Sequence, residues 1–177
     1  MTVYVALLRG VNVAGTGILA MKELVTLCEE LGFAKVRTYI QSGNVVFSAS
    51  PKVIAGLPAV ISKKIAAKFG VEIIMTVRTA AQLKEAISKN PFLKKEAGAV
   101  HVMFLADAPH LDHVSALDFN RSPPDEFVFL GQEIYLWLAG GIAGTKLTNN
   151  YFDRALNTKS TVRNWRTVTT LLEMMEA

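Results

Sequence analysis

Apolar and polar positions alternate along this chain with two different periods, and the switches between them mark out its elements. Residues 2–8 are β-branched and aliphatic with almost no polar interruption, which predicts a buried strand. Met21, Leu24, Val25, Leu27, Cys28 and Leu31 then recur at helical spacing until Gly32 ends the run. Two short strands, 36–40 and 45–47, flank Gln41-Ser42-Gly43-Asn44, whose glycine and amides suit a tight connection. Pro58 can open a helix with Val60, Ile61, Ile65 and Phe69 on one face; Gly70 closes it, and 71–77 reads as a strand. Residues 1–78 thus spell β-α-β-β-α-β, the ferredoxin-like order.

The pattern then begins again. A connecting helix over 79–89 should stop before Pro91, and a strand is expected at 99–105 and a short helix at 109–117. Residues 126–138 alternate as a hairpin turning near Gly131-Gln132, and helices are expected over 148–156 and 162–175. No final strand is evident. The expected fold class is therefore α+β, with two ferredoxin-like lobes packed together, the second incomplete and followed by an extra helix. The N-terminal lobe covers 1–78, a connecting helix and loop 79–98, and the C-terminal lobe with its terminal helices 99–177.

Composition narrows the class. The chain has 177 residues, 51% of them hydrophobic, enough for one large domain or two lobes that cover each other. No apolar run approaches the roughly 20 residues needed to cross a bilayer, and no secretory signal opens the chain, so a cytoplasmic protein is expected. The single Cys28 falls within the first helix and reads as a small buried hydrophobe. The net charge of +4 is unevenly spread: residues 51–100 hold nine Lys or Arg against three Glu, while 101–150 hold six acids against two bases. Solvated helical faces account for this most simply, and since neither exposed aromatics nor a reading motif accompany the basic stretch, nucleic acid is not expected as a partner.

Three polar clusters stand out at the ends of elements: Arg9-Gly10-Val11-Asn12, Gln41-Ser42-Gly43-Asn44 and Thr161-Val162-Arg163-Asn164-Trp165-Arg166-Thr167. In a β-α-β-β-α-β unit the first two strands run parallel, so Arg9 and Asn12 should meet Gln41, Ser42 and Asn44 at one edge of the sheet. The loop from Gly10 to Gly17 leads into the first helix, whose opening amides favour anions at that edge. Such a set suits a carboxylate or phosphate; the same side chains also serve routinely to satisfy turn backbone groups. At the C-terminus, Arg163, Asn164, Arg166 and Thr167 lie off an apolar stripe of Val162, Trp165, Val168, Leu172 and Met175, near the expected helix start. Cations there oppose the helix dipole and call for a counter-charge, either an internal carboxylate that would make a clamp between lobes or a bound anion.

Other signatures fail. Gly140-Gly141-Ile142-Ala143-Gly144-Thr145-Lys146 has the wrong order and spacing for a phosphate loop. His110, Asp112 and His113 lack the face and the fourth ligand of a metal site, and Ser42 lies between strands, where a nucleophile elbow needs strand then helix. No cofactor or metal is expected, and no acid–base group accompanies the arginines, so whether there is catalysis is left open.

The segments Ala6-Leu7-Leu8-Arg9-Gly10-Val11-Asn12-Val13, Met21 with Leu24, Leu31-Gly32-Phe33, Val36-Arg37-Thr38-Tyr39-Ile40-Gln41-Ser42-Gly43-Asn44-Val45-Val46-Phe47, Asn90-Pro91-Phe92 and Thr161 to Val168 resemble, in order, the bacterial domain-of-unknown-function family 1697. The resemblance implies a cytoplasmic protein of two ferredoxin-like halves and no established activity, substrate or catalytic residue. The family loop after Asn12 usually carries a lysine, where this chain has Ala14-Gly15-Thr16-Gly17. Three functions follow as expectations: a module binding a small anionic ligand or acidic partner through Arg9, Asn12, Gln41, Ser42 and Asn44, with Arg163, Asn164 and Arg166 assisting; an enzyme acting on a phosphorylated or carboxylated metabolite; and, third, a weak nucleic-acid binder.

Overall fold

The computed structural model describes residues 1–12, 19–54 and 56–177. The loop substitution at Ala14-Gly15-Thr16-Gly17 lies outside the described residues. The chain divides into two compact units, Met1–Lys84 with Leu171–Ala177, and Glu85–Thr170.

The first unit is built on β1 (Thr2–Arg9), α1 (Met21–Glu30), β2 (Ala34–Tyr39), β3 (Asn44–Ala49), the short α2 (Pro51–Ile54), α3 (Leu57–Phe69) and β4 (Ile74–Thr79), which continues into α4 (Ala80–Ser88). Its sheet has the order β2-β3-β1-β4, antiparallel throughout, as the ferredoxin-like order requires. Side chains alternate across β1, so Tyr4, Ala6 and Leu8 join the core under the helices while Val5 and Leu7 point the other way. Val5 and Leu7 are also buried, so both faces are covered, and this is why β1 reads as a continuous apolar run. Leu24, Leu27 and Cys28 of α1 and Leu57, Ile61 and Ile65 of α3 close that core at i, i+3 and i+4 spacing, around the stacked rings of Tyr4, Phe33 and Phe47. Val60, expected on the buried face of α3, is exposed instead because Leu57 takes its place one turn earlier.

The second unit repeats the plan with β5 (Val100–Leu105), α5 (Leu111–Ser115), β6 (Glu126–Leu130), β7 (Glu133–Trp137), α6 (Asn149–Leu156), β8 (Ser160–Asn164) and α7 (Trp165–Glu176). Its sheet order β6-β7-β5-β8 is the counterpart of the first, again antiparallel. Met103 and Leu105 pack with Phe127, Ile134 and Leu136 under Phe152 and Leu156 of α6.

β8 corrects the expectation of an incomplete lobe and of a helix over 162–175. Residues 160–164 pair with β5 from Ser160↔Leu105 to Asn164↔His101, and the helix starts only at Trp165. The β-branched Thr161 and Val162 suit that pairing, which supplies hydrogen bonds no local spacing can reveal. α7 is therefore the counterpart of α4, both following a fourth strand directly. The last turns of α7 belong to the first unit, where Arg37 Nη2 donates to the Met174 carbonyl and Lys84 Nζ lies 3.5 Å from Glu176. The end of α4 belongs to the second, where the buried Tyr135 hydroxyl donates to the Ala86 carbonyl at 2.7 Å. Among the described residues no helix is long and apolar enough to cross a membrane.

Candidate functional site

β1 leaves its sheet at Arg9, and the β2–β3 connection, Ile40 to Gly43, lies at the same edge because β1 and β2 run parallel with β3 between them. The Leu8 N–H donates to the Gly43 carbonyl at 2.8 Å, one step beyond the Leu7↔Asn44 pair. Only glycine fits at position 43. Its φ is +75°, and a Cβ there would lie 2.7 Å from Val11 Cγ2 and 2.8 Å from Leu8 Cβ.

Asn12 ties three segments of this edge together. Its Oδ1 accepts from the Leu19 N–H at 2.8 Å, and its Nδ2 donates to the Leu19 carbonyl at 3.0 Å and the Gln41 carbonyl at 2.8 Å. Its φ of +54° is one asparagine tolerates better than most residues. Asn44 is fully buried and does the same for the hairpin, its Nδ2 donating to the Tyr39 carbonyl at 3.1 Å and to Ser42 Oγ at 2.9 Å. The two asparagines thus brace the edge from within. Gln41 and Ser42 are exposed on it and Arg9 is half-buried beside it. Ile40, 53% exposed, is held at φ +48°, a left-handed conformation costly for a β-branched residue. Leu19, fixed by Asn12, precedes Ala20, the N-cap of α1, which has no side chain able to cap that helix. Its opening amides and positive dipole end adjoin the braced loop.

The C-terminal residues are placed differently. Arg163 is a strand residue, so it cannot oppose a helix dipole, and the expected crowding of cations at the helix start reduces to Arg166. The Arg163 side chain is buried, its Nη1 donates to the Val162 carbonyl at 2.8 Å, and burial pulls its pKa down to about 10. Asn164, on the opposite side of the strand, accepts the Thr167 N–H on Oδ1 at 2.8 Å and so caps α7. Asn164 and the exposed Arg166 line a concavity of about 270 Å³ with Ala97 and Gly98. The eight candidate residues thus form two groups: five at one edge of the first unit, and three in the second unit, where Arg163 points away from the other two.

One residue escaped the sequence reading. Arg78 on β4 is buried, at 4% exposure, and its Nη1 donates to the Val77 carbonyl at 3.0 Å, as Arg163 does to Val162. The signal was present as an internal repeat, Thr76-Val77-Arg78-Thr79 against Thr161-Val162-Arg163-Asn164, at the end of the fourth strand in each half.

A search of curated proteins gave no match. Among solved structures, "The structure of conserved bacterial protein SP0830 from Streptococcus pneumoniae" is similar over 98% of both chains, with a TM-score of 0.67 and 20% sequence identity. At that identity the likeness shows the fold alone. The family model described as "Protein of unknown function (DUF1697)" matches residues 1–135, and the chain belongs to that family.

Proposed function

We propose that this protein is a cytoplasmic, non-catalytic module that binds a small anionic ligand, a phosphate or carboxylate, at the edge formed by Arg9, Asn12, Gln41, Ser42 and Asn44. The observation that carries the reading is the strained, exposed Ile40 beside Gln41 on a loop braced by Asn12 and Asn44. Left-handed backbone at a β-branched residue costs on the order of 1–3 kcal/mol, and Ile40 is more than half exposed; such strain persists where it fixes the geometry of a site. The start of α1, with alanine at its N-cap, and the Arg9 guanidinium supply the positive field, and Gln41 and Ser42 supply directional groups.

The test is a thermal-shift screen with inorganic phosphate, citrate and a library of phosphorylated and carboxylated metabolites. A ligand at 100 times its Kd stabilises by about 2.7 kcal/mol. Arg9→Ala is expected to keep the circular-dichroism spectrum of the parent while losing ligand-induced stabilisation. Stabilisation equal in parent and Arg9→Ala would sink the proposal.

A further inference from the structure

The second unit carries a concavity whose charge runs against that of the surrounding chain. Residues 101–150 hold six acids and only two bases, Arg121 and Lys146. The fold brings these two together. Arg121 Nε donates to the Lys146 carbonyl at 3.1 Å, which lays the guanidinium over the Tyr151 ring, 3.9 Å from its centroid. Tyr151 is fixed in turn, its hydroxyl accepting the Asp118 N–H at 3.0 Å. Thr148 is the N-cap of α6, and on the helix Tyr151 and Ala155 fall on one face at i and i+4, with Arg154 beside them at i+3 from Tyr151. Arg121, Thr148, Asn150, Tyr151, Arg154 and Ala155 line a concavity of about 470 Å³. That volume lies within the range of roughly 300–1,000 Å³ typical of small-molecule sites.

The acids of this neighbourhood are engaged elsewhere. Asp118 accepts the Asn120 N–H; Asp125 accepts the Ser122 and Thr145 hydroxyls and the Ala139 N–H; and the buried Asp153 accepts the Ser160 hydroxyl. Among the described residues neither Arg121 nor Arg154 forms a salt bridge. Two guanidiniums therefore face one concavity without an internal carboxylate, a charge that a dianion matches and a single carboxylate does not. Thr148 Oγ1 accepts the Tyr151 N–H at 3.2 Å, so its own O–H remains a donor, as does the Asn150 amide. The Tyr151 ring carries Arg121 over one face and Phe152 in an edge contact at 4.9 Å, which argues against base stacking as the source of recognition.

We propose that this concavity binds the phosphate group of a small phosphomonoester, with Arg121 and Arg154 holding the dianion and Thr148 and Asn150 orienting it. The site shares no residue with the β1 edge and stands or falls separately from it. The test is an amide-detected NMR titration of the full chain with inorganic phosphate, against sodium chloride at matched ionic strength. Saturable shifts are expected over residues 148–155 with phosphate and not with chloride. In Arg154→Gln, an exposed position, the phosphate affinity read there should fall about tenfold or more. Responses of residues 9–12 and 41–44 should be the same in both proteins, which separates this site from the β1 edge. Shifts over 148–155 that grow linearly as with chloride, or that saturate identically in Arg154→Gln, would overturn the assignment.

Discussion

Arg78 and Arg163 hold the same register position in two copies of one strand: Arg78 lies opposite Val5 on β1, and Arg163 opposite Val102 on β5. In each case Nη1 returns to the carbonyl of the preceding valine, and the threonine two residues earlier is buried. The residue that follows caps the next helix. Thr79 Oγ1 accepts the Gln82 N–H while Gln82 Oε1 accepts the Thr79 N–H, a reciprocal capping box, and Asn164 accepts the Thr167 N–H. A strand running straight into a helix leaves opening amides to satisfy, and the same four-residue segment solves that problem twice.

Arg163→Ala removes a buried guanidinium and its hydrogen bond and leaves a void. The expected loss is about 2–5 kcal/mol of unfolding free energy, read by urea denaturation. Arg78→Ala should lose a comparable amount, since its position is equivalent, while Arg163→Lys should fall between parent and alanine because an ammonium lacks the planar fork. Losses below about 0.5 kcal/mol at both arginines would mean that neither is structural.

Gly43→Ala places a methyl group against Val11 Cγ2 and Leu8 Cβ on a backbone with φ of +75°. The left-handed conformation costs about 1–2 kcal/mol and the overpacking about 1–3 kcal/mol more. Adding Val11→Ala should recover part of the second quantity, because it deletes one of the two clashing atoms. A double variant no more stable than Gly43→Ala would show that steric overlap is not the cause.

Cys28 is 2% exposed, and burial, reinforced by the nearby Glu29, pushes its thiol from the ordinary 9.0 up to about 12. The native thiol at about pH 8 should react with a disulfide reagent only as fast as the protein opens. Because the folded pKa lies above the unfolded one, the stability linked to this group is complete below 9.0 and is lost as pH rises towards about 12. Rapid stoichiometric labelling of the folded chain would contradict this.

His101, on β5 between Leu136 and Asn164, is buried, and burial lowers its pKa below 6.5 despite the opposing hydrogen bond with the Ala99 carbonyl at 3.3 Å. Here the unfolded state binds the proton more readily than the folded one, so stability is full above 6.5 and falls on acidification. Urea midpoints at neutral pH and at about pH 5 should differ more for the parent than for His101→Gln. Equal differences would assign the acid sensitivity to other groups.

Much of the fold was legible because its elements are locally consistent. β1 shows as an apolar run since both its faces are buried, and α1 shows as Leu24, Leu27 and Cys28 at helical spacing. β8 was hidden for the opposite reason. Val162, Trp165, Val168, Leu172 and Met175 continue one helical stripe across the junction at Asn164, so the period does not register the change from strand to helix. Arg163 then read as a helix-start cation in need of a counter-charge, whereas its place is inside a sheet. The meeting of Asn12 with Gln41 was foreseen, since it follows from strand direction alone; the convergence of Arg121 with Tyr151 and Arg154 was not, because it rests on a side-chain contact across 30 residues of chain.

The sequence by itself determined the ferredoxin-like plan of the first half, the strand, short helix and hairpin that open the second, and the sheet edge where the polar residues of β1 and the β2–β3 turn meet. Tertiary structure alone decided that the second half completes its sheet, that Arg78 and Arg163 are buried equivalents, and that Asn12 and Asn44 turn inward as braces while Gln41 and Ser42 stay exposed. Period and propensity are local quantities of a few residues. Strand pairing, burial and the partner of each side chain are settled by hydrogen bonds and contacts between distant segments, which spacing along the chain does not encode.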